Sequence, residues 1–188
     1  MRVADVDLDN LRTCPKQCLE TVFWELQDPR AEADPGFHKE EWFSSTLLEW
    51  GRCAKLLLEG DDVVGFAQYG PPTLFAGLAN FPWARISDDA VFLSYCFVGE
   101  GRRGRGLGAE VVRTVARDVV DRGYRALEAV GDWSWDGSWV LPEGFLAACH
   151  FAILQDHPRF PVMRLDLLAA EPIPSASATA AVPLSTAG

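Results

Sequence analysis

The amino-acid sequence predicts a mixed α/β fold, and three observations carry that prediction. Ala54–Leu58 and Val63–Tyr69 are apolar runs joined by Glu59-Gly60-Asp61-Asp62, a Gly/Asp turn that marks a β-hairpin. Val91–Val98 is a further apolar run that passes through a Gly/Arg turn into Leu107–Arg122, whose apolar residues recur with helical period. At 188 residues, 48% hydrophobic and 23% charged, the chain suffices for one globular domain with a full core. A domain of this size buries about 70% of its unfolded surface.

Taken in order, Val3–Val6 reads as a short first strand. Leu11–Leu26 is mostly helical in period, with Pro15 as a break or a helix start. Gln27–Phe37, with two prolines, Gly36 and several charges, reads as a loop. Lys39–Trp50 is a second helix carrying Trp42, Phe43, Leu47 and Trp50, and the hairpin follows it. Gly70–Ser87 is a long connection rich in proline and aromatics (Phe75, Phe81, Trp83), and connections of that length are usually functional or disordered. Its aromatic content argues against disorder. After strand Val91–Val98 and helix Leu107–Arg122, Gly123 stands where a helix C-cap belongs. Tyr124–Val130 reads as the next strand. Gly131–Trp139 is a Trp-rich connection, Leu141–Cys149 a short helix behind Pro142, and Phe151–Leu154 and Met163–Leu168 the closing strands. The domain therefore spans 1–168, and the Ala/Ser/Pro-rich tail 169–188, with Glu171 its only charge, is expected to be disordered.

The turn Arg102-Arg103-Gly104-Arg105-Gly106-Leu107-Gly108 carries the most chemistry. Glycines let backbone approach a ligand closely, and the first N–H groups of the following helix point at whatever fills the turn. Those donors and the helix dipole favour an anion, above all phosphate. There is no Gly-Lys-Ser/Thr, and glycines at every second position do not fit Gly-x-Gly-x-x-Gly, so two common phosphate loops are excluded. What remains is Arg-x-x-Gly-x-Gly, carried by Arg103, Gly106 and Gly108. The alternative is a Gly/Arg surface turn that binds nothing.

That motif, between a hydrophobic strand and an amphipathic helix, resembles the acyl-CoA loop of the GNAT family of N-acetyltransferases. Leu107, Val111, Val112, Val115, Val119 and Val120 on one helical face and the strand after Gly123 extend the likeness. The order of elements matches over about residues 1–168. The resemblance implies the GNAT fold: a central, mostly antiparallel sheet with two splayed parallel strands, here Val91–Val98 and Tyr124–Val130, and helices on both faces. It implies that Phe97 and Val98 pair their backbone with the pantetheine arm. Arg103, Gly104, Arg105, Gly106, Leu107, Gly108 and Ala109 would cradle the pyrophosphate.

The implied activity is transfer of an acetyl group from acetyl-CoA, or of another acyl group from its CoA thioester, to a primary amine of a small molecule or protein. Attack would be direct, in a ternary complex, with no metal. Holding both substrates in line supplies about 7–11 kcal/mol of the barrier.

The usual acid and base of the family are not matched. Counting back from Val98 places Phe92 where many members have a glutamate. Ser94 and Cys96 share its face by period-2 alternation. Cys149-His150-Phe151 stands where a Gly-Phe pair is usual, and counting back to the customary tyrosine lands on Leu146, beside Phe145. Tyr95, Tyr69, Cys149 and His150 are the substitute acids. Glu20, Glu25, Asp88 and Asp89 are candidate bases. The catalytic set is therefore drawn from Tyr95, Cys96, Ser94 and His150. Cys96 is most simply a buried small hydrophobe. These departures motivate an alternative function, a catalytically weak acyl-CoA-binding regulatory module of the same fold. A third is a pairing domain using the Trp-rich loops as an interface.

The amine site is expected between the N-terminal helices and the two aromatic connections, with Glu20, Glu25, Trp83 and Trp135 as substrate-binding residues. An aromatic, acidic-walled pocket suits a cation with an apolar body. The competing expectation is that the same aromatics pack the loops onto the core.

Composition bounds the partners. The formal charge of -10 argues against nucleic acid. Residues 1–62 hold 14 acidic and 7 basic side chains, whereas 102–125 hold 7 arginines against 3 acids. An acidic region facing a cationic substrate and a basic one facing an anionic cofactor fit that asymmetry. No apolar run approaches the ~20 residues of a membrane helix, so no membrane partner is expected. The N-terminus shows no signal-peptide pattern, and a cytoplasmic location is expected. Five scattered cysteines read as reduced thiols, and Cys14 and Cys18 lack the second pair that structural zinc needs. A homodimer is compatible with all of this.

Overall fold

The computed structural model describes residues 1–30, 34–134, 137 and 139–167. Strand β1 (Arg2–Asp5) is followed by a 3-10 turn (Leu11–Thr13), α1 (Lys16–Leu19) and α2 (Pro35–Glu49). The hairpin β2 (Ala54–Glu59) and β3 (Asp62–Gly70) comes next, then two 3-10 turns (Pro72–Leu74, Ala76–Asn80) and β4 (Ala90–Val98). The rest is α3 (Leu107–Asp121), β5 (Ala126–Asp132), β6 (Leu141–Pro142), α4 (Glu143–Ala148), β7 (Ala152–Gln155) and β8 (Val162–Asp166). The strands form one sheet in the order β1-β2-β3-β4-β5-β8-β7, with β6 beside β5. All neighbours are antiparallel except β4 with β5 and β5 with β6. The tail 169–188 and Trp135 lie outside the described residues.

Helices cover both faces. Val111, Val112, Val115 and Val119 of α3 pack on Leu57, Val64, Val91, Leu93 and Leu127, with Leu146 of α4 in the same cluster. On the other face Phe43 of α2 packs with Val6, Leu11, Leu56 and Phe66. A third cluster joins Trp24, Phe75, Phe81, Phe92, Val130 and Val140. Phe75 and Phe81 of the aromatic 70–87 connection thus pack into the core, whereas Trp83 is exposed.

Three local features depart from the sequence reading. The 11–26 segment is not one helix, for Pro15 lacks an N–H and starts only the single turn of α1. Beyond it Val22, Trp24 and Glu25 are buried by tertiary contacts, and Trp24 donates its indole N–H to Trp139 O at 3.1 Å. Helix α2 begins four residues earlier than its apolar pattern indicated. Asp34 caps it by accepting from Phe37 N at 3.0 Å, and Pro35 takes the first helical position.

The third departure matters for the site. Tyr95 pairs with Gln68 and Leu93 with Tyr69, so Ser94 is an extra residue opposite β3, a β-bulge. One inserted residue reverses the alternation beyond it. Val91, Leu93 and Cys96 therefore face α3, while Phe92, Tyr95 and Phe97 face the other side. The expectation that Cys96 shares the face of Phe92 is corrected accordingly.

Candidate functional site

Strands β4 and β5 pair only at Ala90–Ala126, Val91–Leu127 and Phe92–Glu128. Past Phe92 they diverge, β4 following β3 and β5 turning toward β6. The gap opens a groove of about 590 Å³. One wall is Tyr95, Cys96, Phe97 and Val98 of β4, and the other is Val140, Leu141, Pro142 and Phe145. Arg103, Gly104, Gly106, Leu107, Gly108 and Ala109 close its outer end.

That outer end is the Gly/Arg turn. Gly106 is the N-cap of α3 with φ 76°, a left-handed conformation that L side chains resist, and no side chain caps the helix. The first N–H groups of α3 are therefore left to face a ligand, and the helix dipole makes the spot attractive to anions. Gly108 permits close approach of another kind, since a Cβ there would meet the Phe145 ring. Arg102 is held by Glu59, Arg103 Nε donates to Val98 O at 3.4 Å, and both Arg103 and Arg105 are exposed. Arg105 does not line the groove.

Of the catalytic candidates, Tyr95 and Cys96 line the groove. Burial, and then neighbouring Cys18, push the Tyr95 phenol well above its ordinary pKa, so it stays protonated. Burial also raises the Cys96 thiol, and Cys149 adds to the shift, which disfavours a nucleophilic thiolate. Ser94 is buried at the bulge with its hydroxyl donating to Gln68 O at 3.1 Å, off the groove. His150 is exposed and does not line the groove. Its φ of 69° is the only positive value of a non-glycine among the described residues. It occupies the position after α4 where glycine is usual, with His150 N bonded to Ala147 O and Phe151 N to Leu146 O, both at 3.0 Å. Among the substitute acids, Tyr69 is buried with its hydroxyl on Asp118 at 2.9 Å, while Cys149 lines the groove.

The substrate-binding candidates separate. Glu20 is exposed at the end of α1 and pairs with Lys16 at 3.4 Å. Trp83 stacks on His157 with centroids 4.1 Å apart and planes 5° from parallel, and lines neither the groove nor a small chamber behind it that shares Tyr95 and Trp139 with the groove. Glu25 is buried in that chamber, where Lys39 and Gln68 both donate to its Oε1. Asp89, a candidate base, is held instead by Arg164 at 3.0 Å.

Among the groups missed from sequence are Gln17, Trp139 and Phe145 at the groove and Lys39 behind it. Trp139 was visible only as one tryptophan in a Trp-rich connection. Lys39 carried no signal at all, because a lysine in an amphipathic helix reads as solvated.

A sequence model described as the acetyltransferase (GNAT) family matches residues 18–135. No curated protein sequence matches the chain. Solved structures share the fold. The protein yncA from Salmonella typhimurium, solved with its cofactor acetyl-CoA, superposes with a TM-score of 0.62 at 16% identity, covering 94% of this chain and 99% of that one. An N-acetyltransferase from Staphylococcus aureus Mu50 gives 0.58 at 16% identity, covering 89% and 98%. The ribosomal-protein-S18-alanine N-acetyltransferase of Escherichia coli gives 0.52 at 15%, covering 90% and 96%.

Proposed function

The chain belongs to the acetyltransferase (GNAT) family, and from that premise we propose that it transfers an acetyl group from acetyl-CoA to a primary amine. The observation that carries the proposal is the groove between diverging β4 and β5 with the uncapped start of α3 at its mouth. The pyrophosphate sits against the main chain of Gly104, Gly106, Leu107, Gly108 and Ala109, with Arg103 and Arg105 adding charge. The pantetheine arm lies along Phe97 and Val98, as an added strand would. The thioester then lies near Cys96 and Tyr95.

The amine attacks the thioester carbonyl, a C–N bond forms, the C–S bond breaks, and the amine's proton passes to water. A backbone N–H on the edge of β4 past Phe92, where β5 no longer pairs with it, suits the carbonyl oxygen as it gains charge. Tyr95, kept protonated by burial, suits a hydrogen bond to the departing thiolate, which takes its proton from water, rather than removal of a proton. Positioning carries most of the rate in this reading.

A second reading has one specific observation behind it. Among the described residues that line the groove, none is a carboxylate. That favours a catalytically weak acyl-CoA-binding module. A thiol-release assay with acetyl-CoA over an amine panel separates the two. Turnover well above hydrolysis with some amine, slowed by Tyr95→Phe with unchanged acetyl-CoA affinity, supports the enzyme. Tight acetyl-CoA binding without turnover on any amine supports the module, and failure to bind CoA overturns both.

A further inference from the structure

The groove ends inwardly at two aromatic side chains. Tyr95 and Trp139 have ring centroids 5.8 Å apart and planes inclined at 47°. They line both the groove and a small chamber beyond it. That chamber, bounded by Cys18, Thr21, Glu25, Lys39 and Gln68, measures about 10 Å³, room for at most one water.

The far wall of the chamber is built not to yield. Glu25 accepts from both Lys39 of α2 and Gln68 of β3, and all three side chains are buried. The same Gln68 accepts at its carbonyl from Ser94 in the bulge next to Tyr95. Moving this wall means separating a buried ion pair, which costs several kcal/mol.

The direction of the groove follows from β4. Val98 stands at the Gly/Arg turn, and Tyr95 stands three residues further in, toward Phe92, where β4 and β5 still pair. A long ligand with its anionic end at the start of α3 therefore points its other end at Tyr95 and Trp139. Resting on the acyl-CoA reading above, we propose that the Tyr95–Trp139 pair is an acyl-length stop. The site takes an acetyl group and rejects long straight acyl chains such as hexanoyl, because such a chain would have to displace a ring backed by the Glu25–Lys39 pair.

The test is calorimetric titration of the full chain with CoA, acetyl-, propionyl-, butyryl- and hexanoyl-CoA. Trp139→Ala and Tyr95→Val are titrated alongside, each removing one ring. The native protein is expected to bind hexanoyl-CoA at least about tenfold more weakly than acetyl-CoA, because one methylene too many is worth about 10- to 200-fold in a closed pocket. In either variant the two ligands should bind within about threefold of each other, a difference under about 1 kcal/mol. Free CoA is titrated against each protein as the reference, and the ratio of hexanoyl- to acetyl-CoA affinity is the readout. Equal affinity of the native protein for acetyl- and hexanoyl-CoA overturns the stop, as does discrimination that persists in both variants. If only one variant folds, its ratio decides. No binding of CoA itself overturns the acyl-CoA reading and the stop with it, whereas CoA binding without acyl discrimination overturns the stop alone.

Discussion

Gly108 in the first turn of α3 and Phe145 of α4 are in direct contact, and the contact exists only because residue 108 has no side chain. A Cβ at Gly108 would lie 2.6 Å from Cε2 of the Phe145 ring, closer than any real Cβ contact. The start of the anion-binding helix and the outer wall of the groove are thereby set at one distance. Gly108→Ala should push the ring into the groove and cut acetyl-CoA affinity about 5- to 150-fold, from the 1–3 kcal/mol of overpacking strain. Calorimetry measures it, and unchanged affinity in a folded protein would remove Phe145 from the site.

Gly106 differs from Gly108 in mechanism. Nothing stands within 4 Å of its missing Cβ, but its φ of 76° is left-handed, costing about 1–2 kcal/mol for an ordinary L residue and more for a β-branched one. Gly106→Val should therefore cut acetyl-CoA affinity at least about tenfold by moving the turn, with circular dichroism little changed. Arg103→Ala should weaken binding less and flatten its salt dependence, because the side chain is exposed and acts through charge.

Removing one member of the buried pair should be far more damaging than removing both. Lys39→Met leaves Glu25 charged and buried, at a cost of about 3–5 kcal/mol. The double variant Glu25→Leu with Lys39→Met should recover most of that loss in chemical denaturation. A double variant as unstable as the single one would show that the charges themselves are required.

Asp118 makes the acid limb of stability testable. Burial raises its pKa, but hydrogen bonds from Lys55 and Tyr69 outweigh burial and hold the carboxyl below the ordinary carboxylate value. The folded state thus binds that proton less readily than the unfolded chain does. Its stabilisation is complete above the ordinary value of about 4 and is lost as pH falls through the lower folded value. Asp118→Asn should lower the melting temperature at neutral pH by about 4–8 °C, taking about 2 kcal/mol for the buried hydrogen bonds. The deficit should shrink in acid, and a deficit independent of pH would contradict the ion-pair account.

Trp83 should behave as a structural residue. Its ring stacks on His157, and its indole N–H donates to Phe160 O at 3.2 Å, away from the groove. Trp83→Ala should cost about 0.5–1.5 kcal/mol beyond lost burial and leave the Michaelis constant for any amine unchanged. A raised Michaelis constant at constant melting temperature would put the amine beside that stack.

The sequence by itself determined the elements that depend on local pattern and backbone chemistry. The 54–69 hairpin followed from a Gly/Asp turn between apolar runs, and α3 from one apolar face closed by Gly123. The Gly/Arg turn between β4 and α3 was legible for the same reason, since positive φ and an uncapped helix start are written in adjacent residues.

Only the tertiary structure decided the rest. Pattern alone read 11–26 as mostly helical, but Trp24 and Glu25 are held by Trp139, Gly77, Lys39 and Gln68, partners 14 to 115 positions away. The bulge at Ser94 exists only in the pairing of β4 with β3, and it alone puts Tyr95 and Cys96 on their observed faces. Trp139 meets Tyr95 across 44 positions of chain because β4 and β5 part after Phe92. Local periodicity records which face of an element is apolar. Register, bulges and long-range pairs depend on the free energy of the assembled sheet, and no window of neighbouring residues contains it.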